Sequence, residues 1–326
     1  METAAVSRSV VGKSAIAIVA GLLSVLAEAN PPSADSGNQS PGAVSPSQEP
    51  RSSAPQVTIQ GQSQQDLEHR AHDFVQKLVR GGRFYGESLP TWHKPLCFEV
   101  LGLPRPQGEF VLSRLSSDAS SAGIRLAGDP CQPNFFVILT SQPDSLIETL
   151  NARRPKMFGN GQSAQIRRFL HPSNRRVVRV WYNADSIGTD GMPMSRLGTA
   201  CGGVPMSWMT NEIPTNCEHL GSHLQLSALI AFSSVVIVVD SNLSGDATFG
   251  QLSDYIAMVG MADIDPDGDY GDIPTILHLF NQSQTPAPPG LTTWDQAFLS
   301  AIYGTDQASS TQRSAIVSKI VQSFSH

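Results

Sequence analysis

Two histidines in this chain have a spacing that suits a metal site. His219 and His223 lie four residues apart, so their imidazoles share one face whether the segment is helical or extended. Zinc is commonly bound by imidazole nitrogens, and Glu218 adds a carboxylate beside them. A zinc peptidase needs a glutamate next to the first histidine to polarise the metal-bound water, and that position is Leu220. The pair is therefore either a zinc site or ordinary polar surface, and the missing glutamate favours polar surface.

An acidic segment at residues 263–272 resembles part of a calcium-binding loop. Its four candidate ligands are Asp265, Asp267, Asp269 and Asp272. Calcium prefers several carboxylate oxygens, which closely spaced aspartates supply. The complete loop pattern fails, because Tyr270 replaces the glycine of the turn and Ile276 replaces the bidentate glutamate. The segment is either a calcium site or a solvated acidic turn, and the incomplete pattern favours the turn.

The four cysteines are expected to form disulfides. They are Cys97, Cys131, Cys201 and Cys217. An even number of cysteines in an exported chain is typical of bridges, whereas no CxxC spacing supports a zinc site. Three pairings are open, and closeness in the sequence favours Cys97–Cys131 together with Cys201–Cys217.

Other signatures of enzyme chemistry are absent from the sequence. It contains no G-x-S-x-G elbow, no G-x-G-x-x-G after a strand and no phosphate-binding loop. We therefore expect no cofactor apart from zinc or calcium at the two candidate sites. The net charge of −6 argues against nucleic-acid binding, which requires a basic face.

The first 29 residues predict an exported chain, and the next 36 predict a linker. Arg8 and Lys13 precede a short apolar core, and Ala27 and Ala29 supply the small residues of a cleavage site. The alternative is a membrane anchor, but the core is shorter than the roughly 20 residues that span a bilayer. We predict a signal peptide at residues 1–29, no transmembrane anchor after its cleavage, and a periplasmic or secreted protein. Residues 30–65 are rich in Pro, Ser and Gln, which predicts a disordered linker.

The remaining residues, 66–326, predict one disulfide-stapled α+β domain, a mixed sheet flanked by helices. Strands are expected at residues 96–101, 134–140, 177–182, 220–226 and 228–240, the last being the most apolar run of the domain. Helices are expected at residues 66–80, 106–122, 143–152, 163–170, 250–262, 291–303 and 310–324. Asp66 and either Thr292 or Thr293 are predicted helix caps, and Phe110 is placed on an inner helix face. Residues 183–218 form a predicted long loop, which either makes an adaptable contact surface or folds back over the core.

Several segments resemble an uncharacterised group of secreted bacterial proteins. These segments are WHKPLC (92–97), VVIVVD (235–240), QLSDYIAM (251–258), ILHLF (276–280) and GLTTWDQAFLSAIYG (290–304). The layout of strand, helix, loop and C-terminal helix is also distantly similar to metzincin-type zinc peptidases. Their H-E-x-x-H would fall on the helix that begins near Gln251, where this chain has QLSDY. The resemblance therefore implies a related fold without the zinc chemistry, and it carries over no catalytic residue.

The leading functional hypothesis is a non-catalytic binding or scaffolding domain of the cell envelope, with an envelope component or a protein as its partner. An apolar strand and a helix poor in ligands at the chain centre favour this over an enzyme. The alternative is a peptidase-like hydrolase with an unrecognised or degenerate metal site at the histidine pair or the acidic segment. The acidic segment is where we expect function beyond packing.

Overall fold

The structure is a computed structural model that describes residues 6–7, 63–80, 89–158, 169, 175–188, 229–281, 285–309 and 311–325 of the chain. Most of the predicted signal peptide and linker lies outside these residues. So do Cys201, Cys217, His219 and His223, the predicted strand at residues 220–226, and all but one residue of the predicted helix at 163–170.

Within the described ranges, four main strands form a mixed sheet, which confirms the predicted fold class. They are β1 (Phe98–Leu101), β2 (Phe135–Thr140), β3 (Val178–Ile187) and β4 (Leu229–Asp240). Their spatial order is β1-β2-β4-β3, with β1, β2 and β4 parallel and β3 antiparallel to β4. The backbone of Val6–Ser7 adds a short antiparallel pairing at the outer edge of β1.

Helices cover both faces of this sheet. They are α1 (Gln64–Arg80), α2 (Arg105–Ser121), α3 (Pro143–Arg153), α4 (Phe249–Met261), α5 (Thr293–Gly304) and α6 (Gln312–Ser323), with 3₁₀ turns at Pro155–Phe158 and Ile276–Leu279. All of the α-helices except α3 contribute to the larger core, where Val235, Ile237 and Val239 of β4 are buried. Val236 and Val238 point to the opposite face and pack in a smaller core with α3. Both faces of β4 are therefore covered, which explains why its sequence is continuously apolar.

Local hydrogen bonds determine where the helices begin. Thr248 and Gln251 form a capping box at α4, and Thr292 and Asp295 form another at α5, which confirms Thr292 as a cap. The predicted cap at α1 is wrong: Ser63 accepts the hydrogen bond from the Asp66 amide at 3.1 Å, so the helix begins at Gln64. Asp66 lies inside the first turn, where its negative charge suits the helix dipole.

The cysteine pair favoured by proximity is confirmed, because Cys97 and Cys131 form a disulfide with Cα atoms 6.1 Å apart. Cys97 immediately precedes β1, and Cys131 lies four residues before β2. The bond therefore joins the entrances of two paired parallel strands.

Two predicted details are wrong. Phe110 is 46% exposed, because the buried stripe of α2 runs through Val111, Leu115 and Ala119 and leaves Phe110 on another face. β3 also continues to Ile187, into the predicted loop. A register shift after Asn183 keeps its later residues paired with β4, so the strand does not end where its apolar run does.

Among the described residues, none of the helices combines the length and apolar composition needed to cross a bilayer.

Replacing both Cys97 and Cys131 with serine is expected to lower the free energy of unfolding by about 2–4 kcal/mol, because the bridge restricts the unfolded chain. Urea unfolding of the full chain, followed by circular dichroism, measures this loss. Equal midpoints for the double variant and the oxidised wild type would contradict the expected contribution.

Candidate functional site: an arginine-lined cleft at the sheet edge

A cleft opens at the edge of the sheet where the parallel strands end. Because β3 is antiparallel to β4, its first residue, Val178, pairs with Val239 near the end of β4. The segment that enters β3 therefore lies at the carboxyl edge of the parallel strands. Ligands of open α/β sheets commonly bind outside this edge.

The cleft, which we call the arginine cleft, has a volume of about 330 Å³. Its polar side chains are Arg175, Arg176, Tyr255, Asp267 and Asn281. Phe280 and Pro266 supply part of its apolar wall. A few polar groups against an apolar wall are typical of small-molecule sites, and the volume lies at the lower end of their range.

The two adjacent arginines differ in their partners. Arg176 forms an ion pair with Asp267, and the two side chains are 46% and 56% exposed. Arg175 has no ion-pair partner among the residues that the structure describes. A guanidinium has five N–H donors in a planar fork, so Arg175 offers a cation that can bind an anionic group in two-pronged geometry.

Tyr255 gives the cleft a hydrogen-bond donor. It lies on α4, and its ring packs edge-on against Phe280 with centroids 4.9 Å apart. Burial, reinforced by the negative charge of Asp267, raises the pKa of the phenol above its ordinary value. Tyr255 therefore remains protonated at physiological pH and is suited to donating a hydrogen bond to an anion.

The acidic turn at residues 263–272 forms one side of the cleft, and its carboxylates have separate partners. Asp265 and Asp269 accept hydrogen bonds at 3.0 Å from the backbone amides of Asp267 and Gly271 respectively. Asp272 pairs with Arg70 at 3.3 Å. Within the described part of the chain, no three His, Cys, Asp or Glu side chains come together as a metal ligand set.

The described geometry supports neither the zinc hypothesis nor the calcium hypothesis. The calcium candidates lie on one turn but bond to different groups, and His219 and His223 lie outside the described residues. Both hypotheses stay predictions.

Backbone contacts hold the body of the turn in place. The Asp265 amide donates to the Leu78 carbonyl at the end of α1 at 2.8 Å. The Asn281 side chain donates to the Gly268 carbonyl at 3.0 Å, and the Tyr270 hydroxyl donates to the Asp265 carbonyl. The turn is thus fixed to α1 and to the segment that carries Phe280, independently of the Asp267 side chain.

An ion pair between the buried Asp254 and the partly exposed Arg114 fixes α4, and hence Tyr255. Asp254, the residue before Tyr255, is fully buried and accepts two hydrogen bonds from Arg114 of α2, at 2.5 and 2.7 Å. It also accepts one from the Leu291 amide at 2.6 Å. Both oxygens of Asp254 are therefore engaged by the protein, and the pair joins α2, α4 and the entrance of α5.

A second carboxyl group faces this ion pair. Asp118 lies one turn beyond Arg114 on α2, and one of its carboxyl oxygens is buried without a hydrogen-bond partner. Burial and the nearby Asp254 carboxylate raise the pKa of Asp118 to about 7, against the opposing effect of Arg114. Asp118 therefore titrates near neutral pH.

Sequence reasoning missed the arginines of the cleft and the ion pair. The only local signal for Arg175 and Arg176 is a pair of cations immediately before an apolar strand. Asp254 is the one charged residue of α4, which signals an ionic partner without identifying Arg114, 140 residues earlier.

Comparisons with protein-family models, with curated proteins and with solved structures found no match to this chain. The resemblances to an uncharacterised secreted family and to metzincin-type peptidases therefore stay predictions.

Replacing Asp118 with asparagine is expected to change how stability depends on pH. Because the folded-state pKa is above the ordinary value of 3.8, ionising Asp118 costs stability, and this cost develops as the pH rises from about 4 through 7. The variant should be nearly as stable as the wild type at about pH 4.5. At about pH 8 it should be more stable by about 1–2 kcal/mol, a figure reduced for partial solvent exposure.

Urea unfolding of the full chain at both pH values measures this difference. Glu109→Gln is the control, because it neutralises a carboxylate on the same helix whose ion pair with Arg105 is solvent-exposed and contributes little. Parallel pH profiles for wild type and Asp118→Asn would show that Asp118 is not the group responsible.

Proposed function

We propose that this chain is an exported, non-catalytic binding domain whose arginine cleft accepts a small anionic group of an envelope component or of a partner protein. The observation that carries the proposal is Arg175, which lines the cleft without an acidic partner in the described structure. Beside it lie a second guanidinium and a protonated phenol.

The charge of the cleft supports an anionic ligand. Arg175 and Arg176 contribute +2 and Asp267 contributes −1, so these three side chains sum to +1 in a chain whose net charge is −6. Arginine is favoured for anions because its planar fork matches the two oxygens of a carboxylate or phosphate. An anion in contact with these three side chains would meet a small net positive charge, although Asp265 of the same turn also acts on Tyr255.

The composition of the wall favours binding over catalysis. Among the described residues that line the cleft, none is a serine, threonine, cysteine or histidine. Covalent catalysis commonly pairs such a nucleophile with an adjacent base, and the part of the lining that the structure describes offers no pair of this kind. The hydrolase hypothesis remains a prediction that depends on His219, His223 or the acidic segment.

Disulfide chemistry supports the proposed location. The Cys97–Cys131 bond is compatible with a periplasmic or secreted protein, because disulfides persist in oxidising compartments. Together with the predicted signal peptide, it favours a ligand from the cell envelope.

Titration with glutarate and, separately, with inorganic phosphate tests the proposed function. We expect at least one probe to bind the full chain with a Kd on the order of 1 mM, and Arg175→Gln to weaken that binding about tenfold or more through loss of a charged hydrogen bond. Chemical-shift changes in ¹H–¹⁵N spectra measure affinity in this range. Binding should also weaken as salt is raised.

Arg153→Gln is the matched control for this titration, since it removes one positive charge from α3 on the opposite face of the sheet. It should bind the probes as the wild type does. The proposal is wrong if neither probe binds the wild type, or if both variants lose affinity equally.

A further inference from the structure

We infer that the Asp267 carboxylate occupies the place of a ligand carboxylate at Arg176, so that the cleft selects carboxylate-bearing ligands and Asp267 is a built-in competitor for them. This inference rests on the proposed function. It adds the chemical class of the ligand. It also states that the Asp267 side chain partly occupies the cleft when no ligand is bound.

The ion pair itself identifies the chemistry that fits. Arg176 already binds a carboxylate in the cleft, namely that of Asp267. Both partners are about half exposed, so their attraction is screened by water and an external carboxylate can replace it at little cost. A ligand carboxylate has the same two oxygens, so it can bind the guanidinium N–H donors of Arg176 that already bind Asp267.

An external ligand has a contact that Asp267 lacks. Asp267 is paired with Arg176, whereas Arg175 of the same cleft is paired with none of the described carboxylates. A ligand that carries a second oxygen-bearing group can engage Arg175 while its carboxylate replaces Asp267 at Arg176. This additional charged contact favours exchange of the internal carboxylate for an external one.

The exchange requires only a side-chain movement. The acidic turn is held by the Asp265 amide on Leu78 and by the Asn281 side chain on Gly268, and neither bond involves the Asp267 carboxylate. The Asp267 amide donates to Asp265 within the turn. Rotating the Asp267 side chain toward solvent therefore leaves the wall of the cleft intact.

Two isosteric variants of the same turn separate competition from a general charge effect. Asp267→Asn removes the competing charge at Arg176. Asp269→Asn removes an equal charge from the same turn, but Asp269 bonds to the Gly271 amide and does not line the cleft. The side-chain amide oxygen that this control introduces can still accept the hydrogen bond from Gly271.

Glutarate titrations of the full-length wild type and both variants test the inference. We expect Asp267→Asn to raise the association constant about three- to tenfold and Asp269→Asn to change it by less than about twofold. Phosphate and the neutral analogue glutaramide serve as comparison probes, and both should bind the wild type more weakly than glutarate. Asp267→Ser, which also lacks the carboxylate, should repeat the gain in affinity.

Each contrary outcome overturns a distinct part of the inference. Equal gains in glutarate affinity for Asp267→Asn and Asp269→Asn would show that the effect comes from net charge alone. No gain in affinity for either Asp267 variant would exclude competition by Asp267. Tighter binding of phosphate than of glutarate by the wild type would exclude carboxylate selectivity while leaving the proposed anion site in place. Failure of the wild type to bind either anion would instead overturn the proposed function.

Discussion

The rest of the structure depends on the complete burial of β4. Residues Val235–Val239 are inaccessible to solvent, and their side chains alternate between two cores. A strand of this kind is stable only where apolar surface covers each face, so helices must lie on both sides of the sheet. The larger group of helices packs on one side, while α3 and its neighbouring 3₁₀ turn pack on the other. The carboxyl edge is then the natural place for an opening, because there the chain leaves the sheet and re-enters it at β3.

The ion pair between Arg114 and the buried Asp254 connects this core to the cleft. Arg114 holds Asp254, and the next residue of α4 is Tyr255. A displacement of α4 against α2 would therefore separate a buried charge from its partner, which is costly where water is excluded. Gly290 also fits closely, since a β-carbon at this position would overlap an Asp254 oxygen. The phenol in the cleft is consequently positioned by contacts deep in the domain as well as by its own surroundings.

The sequence predicts structural features that depend on residues close together in the chain. It does not predict features that depend on contacts between residues far apart in the chain. Apolar runs identify the four strands, and Thr292 is recognisable as a cap because its partner lies three residues away. The extension of β3 to Ile187 cannot be predicted from the extension's own residues, several of which are polar. It depends on backbone pairing with β4. Likewise, Arg176 meets Asp267 because β3 enters the sheet antiparallel to β4, which brings together residues that are far apart in the chain. The acidic segment can thus be singled out from the sequence, but the cation that faces it cannot.

The Cys97–Cys131 bond lies where β1 and β2 begin, whereas the arginine cleft lies where the parallel strands end. The disulfide and the arginine cleft therefore lie at opposite ends of one sheet. Substitutions in the segment before β3 or in the acidic turn can alter the lining of the cleft without disturbing the bridge. The residues that line the cleft can therefore differ without loss of the covalent bond that stabilises the other end of the sheet.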